Sequence, residues 1–350
     1  MIFNLKKKGK EKPNVFNFFI EKAKNSNKTI ILPEGDDDRV IEAAKKASLL
    51  NLCKIIILGN DLMLTEKFTK NELKNIEVLD PIKNTKKREM YANTYYELRK
   101  HKGMTPEKAM EEMKDNMKFA CLMLYSGDAD GVVAGAVYKS ADVMKPALQV
   151  IKNRADVSKV CSCFIMEVKK ELGFGENGFM IFADCGLIVN PTDSELADIT
   201  ILSAEFAKNI CDMKPRVAML SYTSKSPEDF EDETVQKVKR AYRLVRRRDS
   251  SLICDGELQL DAAIVPAVQK QKAKDSVVEG KANVLVFPDL NAGNIGYKMA
   301  QRFSGGKAIG PIMMGLKKPV NDLSRGATAD EIVDNIAITI LQSNYVIKGE

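Results

Sequence analysis

Short, unbroken apolar runs alternate along this chain with longer stretches whose apolar residues recur every three or four positions. Thr29-Ile-Ile-Leu-Pro is one such run. It ends at Glu34-Gly35 and is followed by Asp37-Asp-Arg-Val-Ile-Glu-Ala-Ala-Lys-Lys-Ala, a predicted helix with an acidic first turn. Cys53-Lys-Ile-Ile-Ile-Leu-Gly59 predicts a second strand closed by glycine. From about Lys86 to Leu124 the pattern predicts two helices, broken near Gly103 and restarted at Thr105-Pro106-Glu107, where proline suits the first helical position. Gly131-Val-Val-Ala-Gly-Ala-Val-Tyr138 returns to strand. Continuous apolar strands separated by helices predict a parallel sheet covered on both faces.

A second series begins after about Lys152. Its strands are predicted at Val160 to Val168, Phe179 to Ala183, Val217 to Ser221, Ser251 to Cys254 and Ala282 to Pro288. The last helix, from Glu331, places Ile332, Val333, Ile336, Ala337, Ile340 and Leu341 on one face, the stripe of a docked helix rather than a free tail. With 350 residues the chain is long enough for two domains, and no low-complexity linker separates them, so one tight boundary is expected.

Composition narrows the chemistry. No apolar run approaches the roughly 18 residues of a membrane span, and Met1-Ile-Phe-Asn-Leu-Lys-Lys-Lys reads as a solvated leader without the apolar segment of a secretion signal. Seven scattered cysteines without a CxxC pair, and His101 as the only histidine, argue against structural zinc and a disulfide framework. They fit a reducing, cytoplasmic compartment. One histidine also leaves little room for Ser-His-Asp or Cys-His catalysis, so unless His101 is the base a carboxylate or lysine must be. A net charge of +6 suits anionic small ligands and falls short of a nucleic-acid signature.

Several motifs have both a functional and a plain reading. Gly173-Phe-Gly-Glu-Asn-Gly178 spells a dinucleotide fingerprint, yet a strand follows it and charged residues precede it, which is hairpin context. Gly305-Gly-Lys307 lacks the spacing of a P-loop. Asp232 to Arg248 is an amphipathic helix with a basic face, either solvated or drawing an anionic cofactor. Asp289-Leu-Asn-Ala-Gly-Asn294 opens a helix after a strand. It is either an anion site at a helix N-terminus, with Asn291 and Asn294 as contacts, or ordinary turn chemistry. In Asn321-Asp-Leu-Ser-Arg-Gly326 a hydroxyl and a guanidinium lie side by side, suited to an oxyanion or phosphate or, in the plain reading, to a surface loop.

The chain resembles the phosphate acetyl/butyryltransferase family. The resemblance spans roughly residues 15 to 342. It rests on Leu32-Pro-Glu, Tyr96-Glu-Leu-Arg-Lys-His-Lys-Gly103, Asp130-Gly-Val-Val-Ala-Gly135, Lys145-Pro-Ala-Leu-Gln, Asp255-Gly-Glu-Leu-Gln-Leu-Asp-Ala-Ala263, Phe287-Pro-Asp-Leu-Asn-Ala-Gly-Asn294 and Ser324-Arg-Gly326. It implies two three-layer α/β domains with mostly parallel sheets and an active-site cleft between them. The expected division is residues 1–150 plus 312–350 against 151–311. It also implies a homodimer without a metal or resident cofactor, exchanging an acetyl group between coenzyme A and inorganic phosphate through acetyl phosphate, with coenzyme A as substrate and no covalent enzyme intermediate.

By the same resemblance Arg99 and Lys145 bind anions near the reacting carbonyl; Lys145 stands where the family has arginine and loses the bidentate fork. Ser324 hydrogen-bonds the carbonyl or thiol, Arg325 steadies the thiolate or oxyanion, and Glu331 is the base, with Asp330 beside it as the alternative. Thr328-Ala-Asp-Glu331 is equally a capping box. A carboxylate near pKa ~4.3 taking a proton from a thiol near ~8.5 works uphill by roughly 6 kcal/mol. Either Arg325 stabilises the thiolate or burial raises the carboxylate. Readings that compete are transfer of butyryl or another short acyl group, a non-catalytic sensor of coenzyme A or acyl phosphate, and a dicarboxylate dehydrogenase of similar two-domain shape.

Overall fold

A computed structural model describes residues 17–24 and 26–345; the basic leader read at Met1 to Lys8 lies outside them. Among the described residues eleven strands form two sheets: β1 (Thr29–Leu32), β2 (Lys54–Leu58), β3 (Ile76–Leu79), β4 (Gly131–Ala134), β5 (Cys161–Glu167), β6 (Phe179–Ala183), β7 (Val217–Leu220), β8 (Cys254–Leu258), β9 (Val284–Val286), β10 (Ala308–Met314) and β11 (Val320–Asp322). The first sheet has the order β11-β4-β1-β2-β3 and is parallel throughout. The second runs β10-β5-β6-β9-β7-β8, with β5 antiparallel to both of its neighbours and the rest parallel.

Helices cover both faces of each sheet, giving two three-layer α/β units. The apolar strands demand this: β4 is buried at every position, and β2 at all but its first. Membership changes sheet between Met314 and Val320, so the second sheet runs a few residues past the 311/312 division and the chain then returns to the first. The two sheets share a core. Phe19, on the helix Asn17–Ala23, packs its ring against Phe179 of β6 at 5.1 Å between centroids, and both are fully buried.

Local differences from the sequence reading have physical causes. The stretch 86–124 holds three helices, Thr85–Arg99, Pro106–Glu112 and Asn116–Ser126, because Asp115 caps a third start. β8 begins where the apolar run Ser251 to Cys254 ends. It carries buried Asp255 and Glu257, tolerated because Lys225 pairs with Asp255 and the Ser226 N–H donates to Glu257 at 2.6 Å. β10 contains Gly310 and Pro311, which hide it from pattern reading; it is an edge strand with a register shift between Ile309 and Ile312, where proline costs no ladder bond.

The last helix, Ala329–Ser343, is buried all the way from Ile332 to Leu341 rather than on one face. Two of its polar residues, Thr339 and Gln342, are used at a junction. Asn321 on β11 donates to Thr339 (2.8 Å) and Gln342 (2.7 Å) and accepts from the Met313 N–H of β10 (2.9 Å).

Candidate active site

In an open parallel sheet, ligands gather at the carboxyl ends of the strands where the strand order reverses. In the first sheet that point lies between β1 and β4. Glu34, just past β1 and buried, accepts four backbone N–H groups in a row. Gly135 and Ala136 donate to one oxygen (2.8 and 2.9 Å), and Val137 and Tyr138 to the other (both 2.7 Å). The loop after β4 is thereby held rigid.

Facing it, β6 ends at Asp184, whose carboxylate accepts from the Gly186, Leu187 and Ile188 N–H groups. A cleft of about 660 Å³ lies between these strand ends. One wall holds Tyr138, Lys139, Ser140 and the stretch Asp322 to Ala327; the other holds Cys185, Asn294, Tyr297, Lys298 and Arg302. The Tyr297 ring stacks on Phe164 at 4.0 Å, making a flat apolar surface inside a mostly basic rim. A second groove of about 350 Å³ opens beside Asp130 and Pro319, before β4 and β11, and contains none of the candidate residues.

Four of the seven candidate residues meet in the cleft: Ser324, Arg325, Glu331 and Asn294. Ser324 and Arg325 are exposed to it in the turn after β11. Ser324 Oγ accepts only from the Gly326 N–H, at 3.4 Å, so its hydroxyl hydrogen is available to a ligand. Arg39 positions this turn: its guanidinium, paired with Asp37, donates to the carbonyls of Arg325 (2.8 Å), Ala327 (3.0 Å) and Ala136 (2.8 Å). One side chain thus ties the turn after β11 to the loop after β4.

Glu331 completes the capping box, its Oε2 accepting from the Thr328 N–H (2.8 Å) and hydroxyl (3.1 Å). It also lines the cleft, so the cap and the site share one carboxylate. Asp330 instead pairs with Lys46 at 2.8 Å, off the cleft wall.

Arg99, Lys145 and Asn291 are not part of the wall. Lys145 is exposed on the helix Ser140–Val150, and Arg99 ends the helix Thr85–Arg99 with its Nε buried and without a hydrogen-bond partner. The helix Leu290–Ser304 is capped by Asp289, whose carboxylate accepts from the Ala292 N–H at 3.0 Å and puts negative charge where an anion would dock. The small residues there serve packing, since a Cβ on Gly293 would stand 2.3 Å from the Asp184 carbonyl oxygen. Asn294 holds the end of β6, donating to the Cys185 carbonyl at 3.1 Å.

The family model described as phosphate acetyl/butaryl transferase matches residues 15–340. The chain belongs to this family. Among its relatives, the phosphate acetyltransferase of Acetivibrio thermocellus is 46% identical over 327 residues, covering 93% of this chain and 97% of that one. The phosphate acetyltransferase of Clostridium acetobutylicum is 45% identical over 92% of this chain and 96% of its own. The crystal structure of a phosphotransacetylase from Streptococcus pyogenes superposes with a TM-score of 0.85 at 38% identity, covering 94% of this chain and 98% of that one.

Residues of this family member that sequence reasoning passed over are Glu34, Arg39 and Asp322. Asp322 is 1% exposed at the end of β11, and burial pushes its carboxyl up to about 6. Its signal was its place beside the hydroxyl and guanidinium of Asn321-Asp-Leu-Ser-Arg-Gly326. Glu34 stood in the segment Leu32-Pro-Glu without a role, and Arg39 left no signal, because a carboxylate or guanidinium serving backbone groups is indistinguishable in one dimension from a solvated one.

The remaining motifs take their plain readings. Gly173 to Gly178 lies in the β5–β6 connection, with all three glycines at positive φ. On the helix Glu233–Arg248 three arginines form ion pairs, Arg240 with Asp193 and Glu233, Arg243 with Glu228, and Arg248 with Asp198, while Lys237, Lys239 and Arg246 donate to backbone carbonyls. All seven cysteines are buried and free. No helix among the described residues is long and apolar enough to cross a membrane.

Proposed function

We propose that the protein catalyses reversible acetyl transfer between coenzyme A and inorganic phosphate, acetyl-CoA plus phosphate giving acetyl phosphate plus CoA. The observation that carries this is the convergence of Ser324, Arg325 and Glu331 on one cleft rimmed by Lys139, Lys298 and Arg302, in a chain of this family. Both substrates are polyanions, and a basic rim on a low-dielectric groove gathers them.

In this reading the Arg325 guanidinium stabilises the tetrahedral oxyanion and the departing thiolate, the Ser324 hydroxyl donates to the carbonyl oxygen, and Glu331 exchanges a proton with sulfur. Arg99 and Lys145 add attraction for anions from outside the wall. Transfer is direct, within a ternary complex. Cys185 is the one cysteine at the cleft, and burial pushes its thiol well above the ordinary range, which suits packing and not nucleophilic attack. Coenzyme A enters as substrate, no resident cofactor or metal is required, and the enzyme works as a cytoplasmic homodimer.

The decisive assay is release of free thiol from acetyl-CoA by the purified protein, with and without phosphate. Thiol release that depends on phosphate and slows from acetyl- to butyryl-CoA is expected. Release indifferent to phosphate removes the assignment.

A further inference from the structure

Acyl transfer to inorganic phosphate moves two protons, and the cleft wall carries two carboxyls, Glu331 and Asp322. Their settings differ. The Glu331 carboxylate is held in place by two hydrogen bonds from Thr328, both to its Oε2. Asp322 is 1% exposed; the Ser140 side chain hydrogen-bonds its carboxyl, but Oδ1 has no hydrogen-bond partner. That oxygen faces the bare Cα of Gly135, where a Cβ would stand 2.3 Å away. The charged groups on the elements packed around it are Glu34 behind the loop after β4, Lys139 and Asp142 at the start of the helix Ser140–Val150, Arg325 in its own turn, and Glu331 and Asp334 on the last helix. None forms an ion pair with it. A carboxyl in that setting takes up a proton readily, and Ser324 follows two residues later in the same turn.

We propose that Asp322 is the catalytic carboxyl that accepts the proton inorganic phosphate gives up, leaving Glu331 to serve the sulfur; this rests on the acyl-transfer reading above. In the acetyl phosphate-forming direction a phosphate oxygen bonds to the carbonyl carbon as its proton passes to the Asp322 carboxylate. The C–S bond then breaks with its electron pair going to sulfur, and Glu331, in its acid form, protonates the thiolate. Asp322 loses its proton and Glu331 regains one through solvent before the next turnover, so charge and protons balance. The burial that raises Asp322 to about 6 places it closer to phosphate and thiol than an ordinary carboxylate stands.

The test compares wild type, Asp322→Asn and Asp322→Ala by kcat, KM for acetyl-CoA, kcat against pH at saturating phosphate, and Tm. Asp322→Asn should lower kcat by about 100-fold or more, leave KM for acetyl-CoA within about threefold and Tm undiminished, and erase an acid limb near pH 6. Formate should restore part of the rate of Asp322→Ala in proportion to its concentration. Retention of wild-type kcat with the acid limb intact overturns the proposal. So does loss of activity through a raised KM and lowered Tm without rescue by formate, the signature of a structural residue. A wild-type protein that releases no thiol in response to phosphate overturns the parent reading as well.

Discussion

Glu331 holds a helix start and a place in the cleft with one side chain, and the two duties separate by substitution. Glutamine preserves a capping box, since its amide oxygen still accepts from the Thr328 N–H, but it carries no exchangeable acid proton. Glu331→Gln is therefore expected to lose about 100-fold in kcat with Tm within about 2 °C of wild type. Kinetics and a thermal melt on the same preparation check this, and full turnover would return the residue to capping alone. Asp334 illustrates the cost of a buried acid. It is 2% exposed with Oδ2 unpartnered, and burial raises its carboxyl to about 7. An unfolded aspartate ionises near pKa ~3.9, so the fold favours the proton-bearing form. The stabilisation from that proton is complete below pH ~4 and disappears as pH rises through about 7, a swing of roughly 4 kcal/mol. Asp334→Asn should accordingly raise Tm at pH 8 and leave it nearly unchanged at pH 4; melts that shift equally at both would reject the assignment.

Between elements, two polar side chains hold what apolar packing alone would leave loose. Arg39 ties the turn carrying Ser324 and Arg325 to the loop after β4 through three carbonyls. Its removal frees the turn without touching a core residue. Arg39→Ala should lower kcat about tenfold, consistent with a misplacement of catalytic groups by a fraction of an ångström, and increase hydrogen exchange across residues 324–327. Arg39→Lys should not restore either, because an ammonium lacks the planar fork that spans these acceptors. Unaltered exchange there would show the turn to be held by other means. Asn321 acts likewise between β10, β11 and the last helix. The parallel strands with unbroken apolar runs were plain in the sequence. β10 and β11 were not, since Gly310-Pro311 and Asn321-Asp322 break the apolar pattern by which strands are recognised.

Taken whole, the molecule is two sheets that share a core and leave their strand ends open to one groove. A ligand that touches both walls stabilises both units together. Coenzyme A at about 100 times its Kd adds about 2.7 kcal/mol and should raise Tm by several degrees as a single transition. A melt indifferent to coenzyme A would mean that the groove is not its site. The alternation of apolar runs and amphipathic stretches by itself determined the α/β class, the order of most elements and the docked last helix, because burial of strands and helix stripes is a local requirement written in periodicity. The motifs likewise placed Ser324, Arg325 and Glu331 together near the end of the chain. Only the tertiary structure decided that Asp322 shares their cleft, that Arg99, Lys145 and Asn291 stand off its wall, and that Glu34 and Arg39 serve the backbone. Those outcomes depend on which strand ends and loops face each other across the groove, a relation between residues up to about 290 positions apart, as Arg39 and Ala327 are, and no periodicity records it.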